Sequence, residues 1–89
     1  VACRTPDATA LGLMRGRVAR VVEVSDDEVM QAMREIFAAT HNVVEGAGAL
    51  GLAAAKQERQ AIRGRTVGIV FTGGNVDSEV FARVLASNE

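Results

Sequence analysis

The stretch that most constrains this chain covers residues 70–77, Val-Phe-Thr-Gly-Gly-Asn-Val-Asp. An apolar run over residues 66–71 ends at Thr72-Gly73-Gly74-Asn75, and a helical pattern resumes near Asp77. This order predicts a buried strand, a tight turn and a helix start, the arrangement in which α/β folds place ligands at the carboxyl ends of strands. Two adjacent glycines let the backbone approach a bound group without a Cβ in the way. The same residues also suit a turn that binds nothing, because turns of this composition are common.

The composition indicates a small core. A chain of 89 residues forms one small domain or a piece of a larger one. Its hydrophobic content is 48%, but only three residues are aromatic, all of them Phe. Ala, Val and Gly make up much of the rest, and each buries little apolar area. We therefore expect a segment of a larger protein rather than an independently stable domain.

Charge and cysteine content exclude several classes of function. The net charge is −1, Arg alternates with acidic residues, and Trp and Tyr are absent, which argues against a nucleic-acid partner. The single cysteine, Cys3, cannot form an internal disulfide and is more typical of an inert thiol in a reducing compartment. The longest apolar stretch, residues 43–55, is too short and too glycine-broken to cross a membrane. With no recognisable signal peptide, these features predict a cytoplasmic protein.

The predicted elements follow an α/β order. A short helix over residues 8–14 precedes a Val-rich strand over 18–24, a helix that begins after Ser25, a second strand over 66–71 and a helix over 77–85. Ser25 and Glu28 have the spacing of a capping box. The helix after them has one apolar stripe, formed by Val29, Met33, Ile36, Phe37 and Thr40. Two strands joined by a crossover run parallel, but two strands alone are not a stable sheet, so other strands must come from elsewhere.

A second helix is predicted over residues 43–59, with Asn42 as its cap. Its first half contains Gly46, Gly48 and Gly51 among alanines and leucines. Each glycine inside a helix costs about 1 kcal/mol relative to Ala. A helix that tolerates three of them is expected to lie very close to another backbone or to a ligand.

Few side chains in this sequence suggest chemistry. Glu45 is the one carboxylate in the small-residue segment: if buried it needs a partner, although a helix N-terminus favours an anion, and it could equally be solvated in the first turn. His41 has no Cys, His or Asp at metal-ligand spacing and is more typical of a residue beside a helix cap, so no metal site is predicted. Lys56 is the only lysine, and neither GxGxxG nor a phosphate loop is present, so nucleotide binding has no specific support.

Together, Glu45-Gly-Ala-Gly-Ala-Leu-Gly-Leu-Ala-Ala-Ala and Thr72-Gly-Gly-Asn-Val-Asp resemble a known family. They are similar to the C-terminal part of the catalytic domain of the serine/threonine dehydratases, pyridoxal-phosphate enzymes with the tryptophan-synthase-β fold. The resemblance extends over residues 1–89 as a single segment, from an Arg-Thr-Pro-like opening through the Val-rich strand and Ser-Asp-Asp-Glu. It implies a partial three-layer α/β/α domain with parallel strands.

The resemblance also implies roles for five residues. Thr72 takes the position whose hydroxyl or thiol contacts the pyridine nitrogen of the cofactor; most such dehydratases have Ser or Cys there, and Thr keeps the hydroxyl. A neutral partner leaves that nitrogen unprotonated, which favours loss of the β-substituent over other fates of the carbanion. Gly73 and Gly74 would let the turn approach the ring, and Asn75 would hold it. Glu45 matches the glutamate that lies near the cofactor on the opposite helix.

The family's Schiff-base lysine, substrate-carboxylate loop and Gly-rich phosphate cup all precede the matched part. Lys56 cannot replace that lysine, because it falls 11 positions after Glu45, about 16 Å along a helix. We therefore expect no catalytic residue in this chain and no tight binding of pyridoxal phosphate by the chain alone. Two interpretations remain: a segment of a longer ammonia-lyase, or a stand-alone non-catalytic oligomerising or small-ligand-binding module. The expected partner is the missing N-terminal part of the enzyme or a second copy of the chain, in a homo-oligomer.

Overall fold

The computed structural model describes residues 7–86, which form four α-helices and one 3₁₀ turn. The helices are α1 (Ala8–Met14), α2 (Asp26–Thr40), α3 (Leu50–Gln57) and α4 (Ser78–Ala86), and the 3₁₀ turn Ala47–Ala49 leads directly into α3. Helix α1 has the predicted bounds, and α4 begins one residue later than predicted. Cys3 and the Arg4-Thr5-Pro6 opening lie outside the described residues.

Helix α2 begins with the predicted capping box. The Ser25 hydroxyl accepts a hydrogen bond from the Glu28 N–H at 3.2 Å, and the Glu28 carboxylate accepts one from the Ser25 N–H at 2.8 Å. This bond from the Ser25 backbone lowers the pKa of Glu28, because it favours the ionised carboxylate. The helix ends at His41, which has a left-handed φ of 59° and donates its N–H to the Phe37 carbonyl. His41 is therefore a helix-capping residue, as its sequence context indicates.

The core is small and lies on one side of α2. The helix packs against the 3₁₀ turn, α3 and α4. The buried apolar side chains are those of Ala32, Met33, Ile36, Val44, Ala49, Ala53 and Val84. Phe37 and Phe81 meet edge to face, 5.4 Å between ring centroids, at the margin of this core. No Leu or Phe is fully buried in the described part of the chain, so the core is as thin as the composition indicates.

The two segments predicted as strands have no regular secondary structure in this structure. A strand is defined by ladder hydrogen bonds to a neighbouring strand, and residues 7–86 provide no such neighbour for residues 18–24 or 66–71. The first segment is held by side chains near the end of α3 instead. Gln57 donates to the Glu23 carbonyl at 2.8 Å, and Arg20 forms an ion pair with Glu58. The α/β class therefore stays a prediction.

The helix predicted over residues 43–59 is shorter than expected. Helical structure begins only at the 3₁₀ turn, and α3 ends at Gln57. The assignment of Asn42 as a cap was wrong: its side-chain amide donates to the Thr40 carbonyl at 3.3 Å, which places it at the end of α2. The physical reason for the late start lies in a contact distant in sequence. The Glu45 N–H donates to the Gly73 carbonyl at 2.9 Å, so residues 43–45 follow the turn after residue 71 rather than a helical path.

Much of the apolar surface of this chain is uncovered. The radius of gyration is 14.2 Å, against about 12 Å for a compact domain of this length. The accessible surface is 6985 Å², against about 5,000 Å² for a compact monomer of this mass. Helix α1 has no buried residue, and Val21 and Val70 are 78% and 75% exposed. Within residues 7–86, no helix combines the length and apolar character that a membrane crossing requires.

Candidate functional site

The structure brings the two sequence motifs into direct contact. The motif that begins at Glu45 and the turn that begins at Thr72 are joined by the hydrogen bond from the Glu45 N–H to the Gly73 carbonyl. The turn is closed by a second backbone bond, from the Val76 N–H to the Gly74 carbonyl at 3.0 Å. The 3₁₀ turn and α3 follow directly in the chain, and Gly48 of the 3₁₀ turn also lies against Gly73. The candidate site is therefore a wall made of two loops that are joined by one backbone hydrogen bond.

Glycines allow this close approach. A Cβ on Gly48 would lie 2.8 Å from the Gly73 carbonyl oxygen, and a Cβ on Gly74 would lie 2.6 Å from the Val43 carbonyl oxygen. Real Cβ atoms essentially never come within 3.0 Å of another heavy atom. A Cβ on Gly51 would similarly lie 2.7 Å from the Ile69 Cγ2 atom. The prediction that the small-residue segment lies very close to another backbone is thereby confirmed at Gly48, whereas Gly51 faces a side chain and Gly46 has only an ordinary contact.

Glu45 lies over the turn. Its side chain is half-buried, and its carboxylate lies beside Gly73, in the space that a Cβ at that position would take. No side chain in residues 7–86 forms an ion pair with it. Of the two alternatives for Glu45, the structure shows neither full burial nor a free position in solvent. The carboxylate is held close to the turn with part of its surface open.

Thr72 and Asn75 are exposed on the turn. Neither side chain hydrogen-bonds to another described residue; the turn is held by backbone groups of Glu45 and Val76. The Thr72 hydroxyl is therefore available to a ligand. Sequence reasoning assigned Thr72, Gly73, Gly74, Asn75 and Glu45 to the site but not Val43 and Gly48, which contact the turn. The cost of glycine inside a helical pattern was the only sequence signal for Gly48.

The residues of this wall fit one edge of a pyridine ring. A neutral hydroxyl is the appropriate partner for an unprotonated ring nitrogen, and Thr72 presents one without a competing hydrogen bond among residues 7–86. Gly73 and Gly74 add no side chain of their own beside it, and the Glu45 carboxylate lies against Gly73. Lys56 belongs to a different part of the molecule: its Nζ atom lies 2.6 Å from the Glu35 Oε1 atom, in an ion pair between α3 and α2.

Comparisons with known proteins identify the family. Residues 1–73 match the family model described as pyridoxal-phosphate dependent enzyme. The chain is 44% identical over 73 residues to an L-threo-3-hydroxyaspartate ammonia-lyase of a Pseudomonas species, covering 82% of this chain and 23% of that protein. It is 32% identical over 74 residues to the serine racemase of Schizosaccharomyces pombe, covering 83% and 23% respectively. An L-threonine ammonia-lyase of Thermotoga maritima is 31% identical over 85 residues, covering 96% and 21%.

This chain therefore belongs to the family of pyridoxal-phosphate dependent enzymes. It spans about a quarter of the length of the curated relatives it matches. Several of those relatives are ammonia-lyases or dehydratases, among them a phenylserine dehydratase of Ralstonia pickettii.

Proposed function

We propose that this chain is the C-terminal segment of the catalytic domain of a serine/threonine dehydratase-like ammonia-lyase, where it supplies the wall that faces the pyridine nitrogen of the cofactor. The observation that carries the proposal is the direct contact between the Glu45 motif and the Thr72 turn. The two motifs whose pairing resembles the dehydratases meet in space, and an unpartnered hydroxyl lies at their junction. Family membership and the named activities of the relatives support the same conclusion.

In this proposal the residues of the wall hold the cofactor and set its electronic state. When bound, pyridoxal phosphate supplies the electron sink that makes loss of a β-substituent from an amino acid possible. Thr72 would donate a hydrogen bond from its neutral hydroxyl to the ring nitrogen, a contact that suits a nitrogen without a proton. Gly73 and Gly74 let the Glu45 carboxylate and the Val43 carbonyl lie directly against the turn, and Asn75 borders it.

The rest of the active site would come from the remainder of the enzyme. The only lysine of this chain, Lys56, is paired with Glu35 on the far side of the small-residue segment. We therefore propose that the cofactor-anchoring lysine and the phosphate-binding loop are supplied by the part of the catalytic domain that this chain does not include. The exposed apolar residues of segments 18–24 and 66–71 are where that part would add strands, giving the α/β fold that the sequence predicts.

The isolated 89-residue chain is expected to have no amino-acid ammonia-lyase activity. Incubation with pyridoxal phosphate and L-threonine, L-serine or L-threo-3-hydroxyaspartate should give no keto acid above the rate of free cofactor, since the only lysine of the chain is paired with Glu35. The assay is coupled reduction of the keto acid, with a full-length protein that contains this chain as positive control. Keto acid formed in proportion to pure chain, and lost in a Lys56→Ala variant, would show that Lys56 anchors the cofactor and would overturn the proposal.

We also expect the isolated chain to associate with itself. Val21 and Val70 lie on segments that have no sheet partner among residues 7–86, and such edges pair readily with another copy. A symmetric dimer is the commonest result for identical chains. Sedimentation should therefore give a mass above 9.4 kDa. Val70→Glu should weaken the association, because it places a charge in the apolar contact.

The matched control is Thr66→Glu, which adds the same charge at an exposed polar position of the same segment. It should leave the association largely intact. A stable monomer with cooperative unfolding in the unmodified chain would show instead that the small core suffices by itself.

A further inference from the structure

Gly48 lies in a helical turn, where alanine would ordinarily be more stabilising than glycine. It is buried in the 3₁₀ turn that leads into α3. At such a position, replacing Gly by Ala ordinarily stabilises a helix by about 1 kcal/mol. Gly46 shows the ordinary case: it has right-handed helical φ and ψ, and a Cβ there would meet only the Val29 Cγ1 atom, at 3.6 Å.

The neighbours of Gly48 explain the difference. A Cβ at this position would lie 2.8 Å from the Gly73 carbonyl oxygen, 3.2 Å from the Gly73 nitrogen and 3.5 Å from the Thr72 nitrogen. All three atoms are backbone atoms of the turn, so no side-chain rotation can relieve the contact. The turn would have to recede from 2.8 Å to the 3.4 Å of an ordinary contact, a displacement of about 0.6 Å.

That displacement acts on the bond that joins the two halves of the wall. The carbonyl oxygen of Gly73 that faces Gly48 is the same atom that accepts the Glu45 N–H at 2.9 Å. Moving it away from Gly48 lengthens this hydrogen bond and carries Thr72 with it. Gly51 differs in kind, because the nearest atom to a Cβ there is the Cγ2 atom of the Ile69 side chain.

We infer that Gly48 is a positioning residue, which sets the place of the Thr72 hydroxyl relative to Glu45 through its backbone contact with the turn. As far as it concerns the cofactor, this inference rests on the proposed function. Gly48 itself need not touch the cofactor; it acts by letting the Thr72–Asn75 turn lie 0.6 Å closer to the 3₁₀ turn than any side chain would permit.

The test compares Gly48→Ala with Gly46→Ala in a full-length protein that contains this chain. Hydrogen exchange of the peptide that includes the Glu45 amide should accelerate about tenfold in Gly48→Ala, which corresponds to about 1.4 kcal/mol, and remain unchanged in Gly46→Ala. Exchange of α2 should stay as in the unmodified protein for both variants.

The absorption and fluorescence of bound pyridoxal phosphate should shift only in Gly48→Ala. Its kcat for L-threonine should fall about tenfold with little change in KM, because misplacement of about 1 Å costs up to about a hundredfold.

Three results would overturn the inference. Unchanged exchange at Glu45 in Gly48→Ala would mean that the turn does not rest on this position. Loss of hydrogen-exchange protection in α2 would show that Gly48 stabilises the fold as a whole rather than the position of the turn. Faster exchange at Glu45 with an unchanged spectrum of the cofactor would show that the contact between Gly48 and Gly73 does not set the position of the Thr72 hydroxyl. Failure of the proposed function has a different signature, since the unmodified full-length protein would then neither bind pyridoxal phosphate nor release keto acid.

Discussion

Ala49→Arg is expected to abolish cooperative folding of this protein. Ala49 is 0% exposed and lies in the core cluster with Ala32, Met33 and Ala53. An arginine there overpacks the core, at a cost of about 1–3 kcal/mol, and buries a charge for which the cluster offers no partner, at a cost of several kcal/mol more. The sum is comparable to the whole stability of a small domain, about 5–15 kcal/mol. Thermal unfolding followed by circular dichroism should therefore show no cooperative transition.

The matched control for this variant is Ala38→Arg. Ala38 is exposed on α2, where arginine has nearly the helix propensity of alanine. Its midpoint of unfolding should stay close to that of the unmodified protein, because exposed substitutions away from special features usually change stability by less than about 0.5 kcal/mol. If both variants unfolded with the same midpoint, Ala49 could not be part of the core.

The best-predicted parts of the fold are those whose signals are local in sequence. The capping box of Ser25 and Glu28 lies within four residues, and the apolar stripe after it has helical spacing, so α2 could be predicted closely. Helices α1 and α4 likewise follow short-range patterns. The late start of α3 could not be predicted, because the Glu45 N–H is bonded to Gly73, 28 positions away. Asn42 has the chemistry of an N-cap but lies beside the end of α2, where it bonds Thr40.

The predicted strands show a different limit. Alternating or continuous Val residues indicate the propensity of a segment to pair, but a strand forms only when a neighbour completes the hydrogen-bond ladder. Residues 18–24 and 66–71 have that propensity and no neighbour among residues 7–86.

The sequence indicated which residues form the candidate site but not which of them contact each other. The glycine content of the motifs indicated close packing, whereas the identity of the contacting atoms, Gly73 and Val43, required the structure.

Thr72→Asp is expected to depress elimination in a full-length protein that contains this chain. A carboxylate at this position would favour the protonated ring nitrogen, because opposite charges at short distance stabilise each other strongly where water is limited. If Thr72 faces the ring nitrogen as proposed, this protonation would strengthen the electron sink that pyridoxal phosphate supplies and would favour reactions other than loss of the β-substituent. We expect kcat for elimination to fall at least about tenfold, a rise of about 1.4 kcal/mol in the activation free energy.

Thr72→Ser provides the control, because it keeps the neutral hydroxyl and removes only a methyl group from an exposed residue. It should leave both the turnover and the absorption spectrum of the bound cofactor nearly unchanged, while Thr72→Asp shifts the spectrum. Because Thr72 is exposed and contributes nothing to the core, neither substitution should lower the unfolding temperature by more than a few degrees. Any change in turnover can therefore be assigned to the cofactor rather than to the fold. An Asp variant with the kinetics and spectrum of the unmodified enzyme would place Thr72 away from the ring nitrogen.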